Sequence, residues 1–327
     1  MKYKQNNSRF SVKGRGDYMN LVDFVNTYYN DLDKCREFFF SMKWPEGYCC
    51  DKCGNHKYYF IKSRNLYRCS KCHHDESVLA HTCFEQCKMA LNTLLLGIFL
   101  IFTSRNGITS ESLAEQLKVN YKTALLLNTK CRILMRESNN EKVLNSKFYE
   151  SDVVYIGAPS SGKRGLGTEK QPCLVVLSTD AKNKYPRHIK LREVPADSRE
   201  YIDPFFSKFV KMDKTKELTT DGKTTYAFLN DSLKLDSHKI DYNDPNHDLW
   251  FLNICVSNLE SMINGVYHGI SKRELPLYFA EYEYRFNHRH TKDFLTKVKH
   301  YIQKSYVMTK KMIKESLNQY QLARATS

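Results

Sequence analysis

Two cysteine pairs, CDKC (50–53) and CSKC (69–72), stand fifteen residues apart. A C-x-x-C turn brings two thiolates within reach of one ion. Two such turns on facing hairpins make a tetrahedral four-sulfur site suited to zinc. A ribbon this small cannot hold itself together by apolar burial, so the metal supplies folding energy. Cys50, Cys53, Cys69 and Cys72 are therefore expected as structural zinc ligands, with no open position for catalysis. Gly54 follows the first pair, where a tight knuckle wants an unhindered residue, and Tyr67 and Arg68 read as a strand entering the second. Cys49 lacks the spacing; His73 and His74, just beyond Cys72, are the competing ligands. Cys35, Cys83, Cys87, Cys131, Cys173 and Cys255 are scattered and read as small buried hydrophobes.

An odd total of 11 cysteines, with no apolar segment behind the basic start MKYKQNNSRFSVKGRG, argues for a reducing, cytoplasmic compartment. The longest apolar run, LLLGIFLIF (94–102), is too short to span a bilayer and reads as a buried helix. The 51 Lys and Arg outnumber the 36 Asp and Glu, for a net charge of +15. That excess predicts a polyanionic partner, nucleic acid being the commonest.

The pattern divides the 327 residues into a basic flexible tail (1–18), an N-terminal helix and zinc ribbon (19–80), a helix-turn-helix DNA-binding domain (81–140), a catalytic domain (147–290) and a basic helical tail (291–327). NNEK (139–142) reads as a linker. Strands are expected at 148–156, 173–179, 187–194 and 216–220, with helices at 198–210, 224–233 and from 249. Three strands followed by alternating helix and strand predict an α/β fold: a mixed sheet with flanking helices.

GITSESLAEQLKVNYKTALLLNTKCRILM (107–135) has the spacing of a helix-turn-helix. Ser110 is placed to cap the first helix and Val119 lies in the turn. Tyr121, Lys122 and Thr123 open the second helix, where this motif reaches DNA. An ordinary helical hairpin has the same pattern.

Period-two alternation puts Phe148, Glu150 and Asp152 on one face of the first strand. Asp221 ends the short strand KELTT and is followed by Gly222. VSNLES (256–261), on a later helix, offers Asn258 and Glu260 as a third ligand. Acids on the first strand, the fourth strand and a late helix match the layout of an RNase H-like sheet. There, oxygen ligands hold two divalent ions roughly 4 Å apart for in-line attack on phosphorus.

Together these motifs resemble the zinc-ribbon insertion-sequence transposases of bacteria, an ISXO-like group related to Merlin elements, over roughly residues 20–290. The likeness runs through CREFFFSMKWPEGYCCDKCG (35–54), YRCSKC, the GIT…LA…L…YKTA pattern, ESDVVYIGA (150–158), GKRGLG (162–167), TTDGKTTY (219–226), LWFLNICVSNLESMINGVYHGIS (249–271) and EYEYRFNHR (281–289). The resemblance implies an RNase H-like catalytic domain with Asp152, Asp221 and Asn258 as its Asp-Asp-Asn set, holding Mg²⁺ or Mn²⁺. Glu260 falls where the family has a lysine, and on a helix it points about 200° away from Asn258. An amide oxygen suits Mg²⁺, at one unit less ligand charge. The resemblance further implies binding to inverted-repeat transposon ends and target DNA, metal-dependent strand cleavage and strand transfer, a homo-oligomer on DNA, and residence with the bacterial nucleoid. Val153, Ala158, Asn253 and Glu260 depart from the family pattern. All but Ala158 touch the neighbourhood of the metal site, and so support a second reading: a catalytically inactive, transposase-derived DNA-binding protein. A third, a zinc-ribbon nuclease of other purpose, would cut without joining.

Lys163 and Arg164, in a glycine-rich loop, and Arg285 and Arg289, at the end of the catalytic domain, are further candidates for phosphate contact; Asn287 belongs to the same cluster. A structural helix-end cluster accounts for the last three equally well. The segment 292–314 carries seven lysines and one acid. It reads either as a solvated helix face or as a DNA-tracking surface. His268 reads as structural or DNA-side, because two-metal chemistry needs no general base.

Overall fold

The computed structural model describes residues 19–157, 170–181, 185–230, 234–237, 239–241, 244, 247–268, 270–291, 294–315 and 317. The expected tail 1–18 and the loop bearing Lys163 and Arg164 lie outside them.

The N-terminal half is helical around the ribbon. Helix α1 (Leu21–Phe24) runs into a π turn (Val25–Tyr29) and is followed by α2 (Leu32–Lys43). The ribbon strands β1 (Tyr58–Ile61), β2 (Leu66–Cys69) and β3 (Asp75–Glu76) pair antiparallel in sequence order. Then come α3 (Leu91–Thr103), α4 (Ser110–Leu117) and α5 (Tyr121–Glu141). The apolar run LLLGIFLIF is the buried body of α3, as its composition demands. Gly97 lets α3 close on its neighbours: a β-carbon there would stand 2.6 Å from Leu127 and 2.9 Å from Leu117.

The ribbon is not held by its thiols alone. Phe40 and Trp44 from the end of α2 meet Tyr58 and Tyr67 of the ribbon at ring distances of 5.2–5.6 Å, and Trp44 Nε1 donates to the Cys49 carbonyl. Aromatic pairs at such spacings add to simple burial. The Trp-Pro-x-Gly stretch is thus the dock on which the ribbon sits.

The second half is built on β4 (Phe148–Ile156), β5 (Gln171–Thr179), β6 (Pro186–Glu193), β7 (Glu217–Thr220) and β8 (Lys234–Ser237). The sheet order is β6-β5-β4-β7-β8. The first three strands are antiparallel, while β7 and β8 run parallel to β4 and to each other. This is the mixed RNase H-like sheet. Helix α6 (Arg199–Phe209) covers one face with Ile202, Phe205, Phe206 and Phe209 against Tyr149, Val153, Leu174 and Val176. Helices α7 (Trp250–Ser261) and α8 (Leu275–Asn287) cover the other, with Leu252, Cys255, Leu259 and Phe279 against Ile156, Cys173, Val175 and Leu177. Helix α9 (Phe294–Lys304) follows.

Several expectations need correction. NNEK is no linker: α5 runs through Asn139, which is buried and donates to the Ala280 carbonyl at 2.8 Å. Of the helix expected over 224–233, Thr224–Leu229 make a 3-10 turn and 231–233 lie outside the described residues; β8 follows, its charged pattern hiding a strand. The basic segment after 291 is not a bare tail, since Val298 and Ile302 of α9 are buried in the N-terminal core. Thr109, not Ser110, caps α4; the buried Ser110 hydroxyl instead accepts from Asn128.

A buried ionic seam joins the halves. Glu281 on α8 takes Arg132 of α5 at 2.7 Å and Arg285 at 2.5 Å, and the Tyr267 hydroxyl donates to it at 2.8 Å. Arg285 also donates to the carbonyls of Ile101 and Ser104 at the end of α3. Two further side chains of α8 occupy the free edge of β6. Glu283 accepts the Leu191 amide, and Asn287 exchanges both hydrogen bonds with the Ile189 backbone. An edge strand is thereby kept from pairing with another chain.

Candidate active site and zinc centre

The ribbon knuckles bring four thiols together. Sγ atoms of Cys50 and Cys72 lie 3.6 Å apart, those of Cys53 and Cys69 lie 3.5 Å apart, and all four fall within 4.8 Å of one another. Zinc–sulfur bonds of about 2.3 Å in a tetrahedron put sulfur atoms about 3.8 Å apart, so the cage fits zinc. The amides of Gly54 and His73 close the two knuckles onto the carbonyls of Cys50 and Cys69. Both residues take left-handed backbone, at φ +67° and +55°; glycine does so freely and histidine at a cost. His73 and His74 are not in the four-ligand group. Burial pushes the Cys69 thiol up, but amides of Cys72 and Lys71 and the Asn55 side chain outweigh burial and bring it down to about 6. The thiolate is the form a metal takes.

The acids converge through strand register. Glu150 on β4 pairs with Thr219 on the parallel strand β7, so Asp152, two residues further along β4, lies on the side where Asp221 follows the end of β7. One side chain marks their meeting. The Lys223 ammonium lies 3.2 Å from Asp152, 2.7 Å from Asp221 and 3.1 Å from Asp197. Two carboxylate oxygens touching one ammonium are no farther apart than the sum of those contacts. Tyr226, fully buried, fixes the turn that carries Lys223: its hydroxyl meets Ser151 Oγ at 3.0 Å. Burial raises the Asp152 carboxyl, Lys223 lowers it and Asp221 raises it again, leaving it at about 6. Burial alone lowers the Lys223 ammonium, but Asp152, Asp221 and Asp197 reverse this and hold it above its ordinary value. Glu150 accepts the Leu252 amide at the start of α7, and burial lifts its carboxyl to about 7.

Asn258 lies on α7, the helix covering the face of Asp152, and is exposed. Its side chain makes no hydrogen bond to a described residue, so the structure leaves it outside the Lys223 cluster. The Val153 side chain is buried on the opposite face against α6, away from the acids, while its backbone amide donates to Asp152 at 2.7 Å. Asn253 lies 3.3 Å from a His247 ring nitrogen. Tyr121 and Lys122 are exposed and Thr123 half-buried at the start of α5, as the sequence predicts. That helix runs for 21 residues, and its later part is buried in the seam, unlike a free recognition helix. Arg285 is a correction: expected at phosphates, its guanidinium is turned inward onto Glu281 and α3 carbonyls. Arg289 is exposed, stacked 4.1 Å over Phe286 and donating to the Arg187 carbonyl at 3.0 Å.

Lys223 and Asp197 were missed. Lys223 stands inside TTDGKTTY, where the flanking acid drew attention away from it. Asp197 sits in the connection between β6 and α6, with no local signal. Strands β4, β6 and β7 all end on the same side of the sheet, and only that topology brings it near.

Comparison with known proteins adds to this geometry. Solved structures similar to this chain include the "Crystal structure of the Mos1 Strand Transfer Complex" (11% identity, TM-score 0.25) and the "Mos1 transposase paired-end complex with left transposon end" (10% identity, TM-score 0.24). Each match covers 64% of this chain and 78% of the other. No curated protein matches the sequence. A transposase zinc-ribbon domain model matches residues 31–75, and an ISXO2-like transposase domain model matches residues 146–287. A transposase zinc-ribbon domain and an ISXO2-like transposase domain thus match in this order on one polypeptide, which supports a zinc-ribbon transposase of the ISXO2-like family.

Proposed function

We propose that this chain cuts DNA at transposon ends and transfers the freed strand to target DNA, using Mg²⁺ or Mn²⁺ at Asp152 and Asp221. The observation that carries the reading is the meeting of these two carboxylates, one on β4 and the other just past the end of the parallel strand β7, around a point where a cation already sits. The donors fit: hard oxygen ligands suit hard divalent ions. When bound there, a divalent ion stabilises charge on phosphoryl oxygens and activates the attacking hydroxyl. Asp152 and Asp221 hold and orient; Asn258, on the covering helix, supplies a third oxygen once DNA and metal draw it in.

The DNA partner rests on the net charge of +15 and on exposed polar groups at the start of α5. Tyr121, Lys122 and Thr123 are assigned to transposon ends, with Arg289 and, in the loop outside the described residues, Lys163 and Arg164 at phosphates. Two ends must be held together for transfer, so a homo-oligomer on DNA is part of the proposal. Among the described residues no helix is long and apolar enough to cross a membrane.

The test is strand cleavage and joining of a labelled inverted-repeat end with Mg²⁺. The wild type should cut and join, while Asp152→Ala and Asp221→Ala lose several kcal/mol of barrier lowering, about a thousandfold or more in rate. Asn258→Ala should fall between. The inactive DNA-binding reading has one structural observation in its favour: Lys223 already neutralises the acids. It wins if wild type and mutants bind the end equally and none cuts. Cutting without joining would favour a nuclease.

A further inference from the structure

Lys223 and Asp197 are given no role by the family's Asp-Asp-Asn set, yet with Asp152 and Asp221 they form a cluster of one ammonium and three carboxylates. An ammonium has three donors. Here the ammonium lies within ion-pair distance of three different carboxylates, Asp152, Asp197 and Asp221, at 3.2, 3.1 and 2.7 Å. All three acids are nearly buried, with side chains 8–11% exposed, whereas Lys223 is 36% exposed. The lysine thus reaches in from the solvent side, and the acids are fixed.

Asp197 differs from the other two. It comes from the β6–α6 connection rather than from the β4–β7 pair. Its second oxygen, Oδ1, is buried with no hydrogen-bond partner. Its carboxylate therefore has acceptor capacity to spare. The three carboxylates are also not among the groups of described residues whose ligand atoms close to within 4.8 Å of one another. A small ion with bonds of about 2.1 Å does not reach all three as they stand, so Asp197 is poorly placed as a third ligand and well placed as a counter-ion.

We propose that Lys223 is a built-in cation that holds the active-site carboxylates until a divalent ion displaces it, and that Asp197 is the positioning residue that receives the displaced ammonium. The inference rests on the metal-site reading given above. Loading takes away two of the ammonium's three partners. Asp197 keeps the third and, with Oδ1 free, accepts a second hydrogen bond from the same group. The lysine leaves the two ligands without entering solvent, and its charge stays beside the site. Lys223 thereby sets how much divalent ion the site requires, and Asp197 lowers that requirement.

The test reads metal occupancy, not turnover. Zinc-loaded full-length protein is titrated with Mn²⁺, and free Mn²⁺ is followed by its electron paramagnetic resonance signal. A neighbouring unit charge changes a proton's affinity for a carboxylate by one to three powers of ten, and a divalent ion responds in the same direction. Lys223→Met and Lys223→Gln should each bind Mn²⁺ about tenfold more tightly or better. Asp197→Asn should bind about tenfold more weakly. The double variant Lys223→Met/Asp197→Asn should recover to within a few-fold of Lys223→Met, because without the ammonium Asp197 has nothing to receive. Lys223 variants no tighter than wild type overturn the proposal. So does a double variant as weak as Asp197→Asn alone, which would make Asp197 a direct ligand. Asp152→Ala separates the two levels: if it leaves Mn²⁺ binding at the wild-type value, the metal-site reading itself falls. Thermal melts of each variant confirm that folded protein is being compared.

Discussion

The ribbon and the sheet both gather groups that want a positive charge, and they obtain it from different sources. The ribbon turns four thiols toward one point and docks on the aromatic end of α2. The sheet gathers carboxylates and supplies Lys223 from its own chain. The seam does likewise, with Arg132 and Arg285 on Glu281. The difference teaches where metal belongs to folding and where it belongs only to function. A cluster neutralised by the chain's own bases can fold first and bind metal later. A cluster of thiolates depends on the metal to fold.

The sharpest way to break that contrast is to remove zinc. Structural zinc sites contribute roughly 10–16 kcal/mol in small ribbons. Chelation, or Cys69→Ser, is expected to expose residues 50–72 to protease while β4–β7 stays protected from hydrogen exchange. Limited proteolysis with mass spectrometry checks it. A ribbon still protected after chelation would mean that docking by Phe40, Trp44 and Tyr67 suffices without metal.

The next effect tests whether the chain's own pairing is as strong as supposed. Burial alone raises Glu281, but Arg132 and Arg285 overrule burial and hold it at about 2, below the ordinary 4.5. A depressed carboxyl contributes stability that is complete above its unfolded value and drains as pH falls toward its folded one. Glu281→Gln leaves buried guanidinium charge uncompensated and should cost roughly 3–5 kcal/mol near neutral pH. Between about pH 4.5 and pH 2 the gap to wild type should close. Urea midpoints of both proteins at neutral pH and near pH 3 measure it. A gap unchanged by acid would show that packing and hydrogen bonds, not charge, hold the seam.

How much of this was legible follows from the same contrast. The zinc ligands lie within two four-residue motifs, and their geometry is set by knuckles closed at Gly54 and His73; local spacing was enough. Asp152 and Asp221 are far apart in sequence, but alternation placed one on a strand and a strand end placed the other, so only their register had to be learned. Asp197 was beyond reach because its position depends on the order of strands in the sheet. Arg285 and Asn287 failed for another reason. A basic or amide side chain near a catalytic domain looks the same in sequence whether it faces phosphate or a neighbouring helix, and burial against Glu281 and Ile189 decides it. Helix α5 ran past its expected end because Asn139 and Asn140, turn formers by composition, are held there by α8 and by Arg192.

The smallest effect concerns an acid that the chain does not neutralise. Glu150 shares a face with Asp152 but accepts only the Leu252 amide, and its Oε1 is buried without a hydrogen bond. Burial lifts its carboxyl to about 7 from the ordinary 4.5. A raised acid costs stability once the unfolded chain ionises, so the penalty grows as pH rises from 4.5 and is complete above about 7. Glu150→Gln keeps an oxygen for the Leu252 amide and carries no charge. It should therefore stabilise the sheet at pH 8 by about 1–3 kcal/mol and leave it unchanged near pH 4. Paired urea melts at the two pH values decide the matter. A variant no more stable at pH 8 would mean that the carboxylate is compensated in solution after all, and that the sheet, like the seam, leaves no buried charge unpaired.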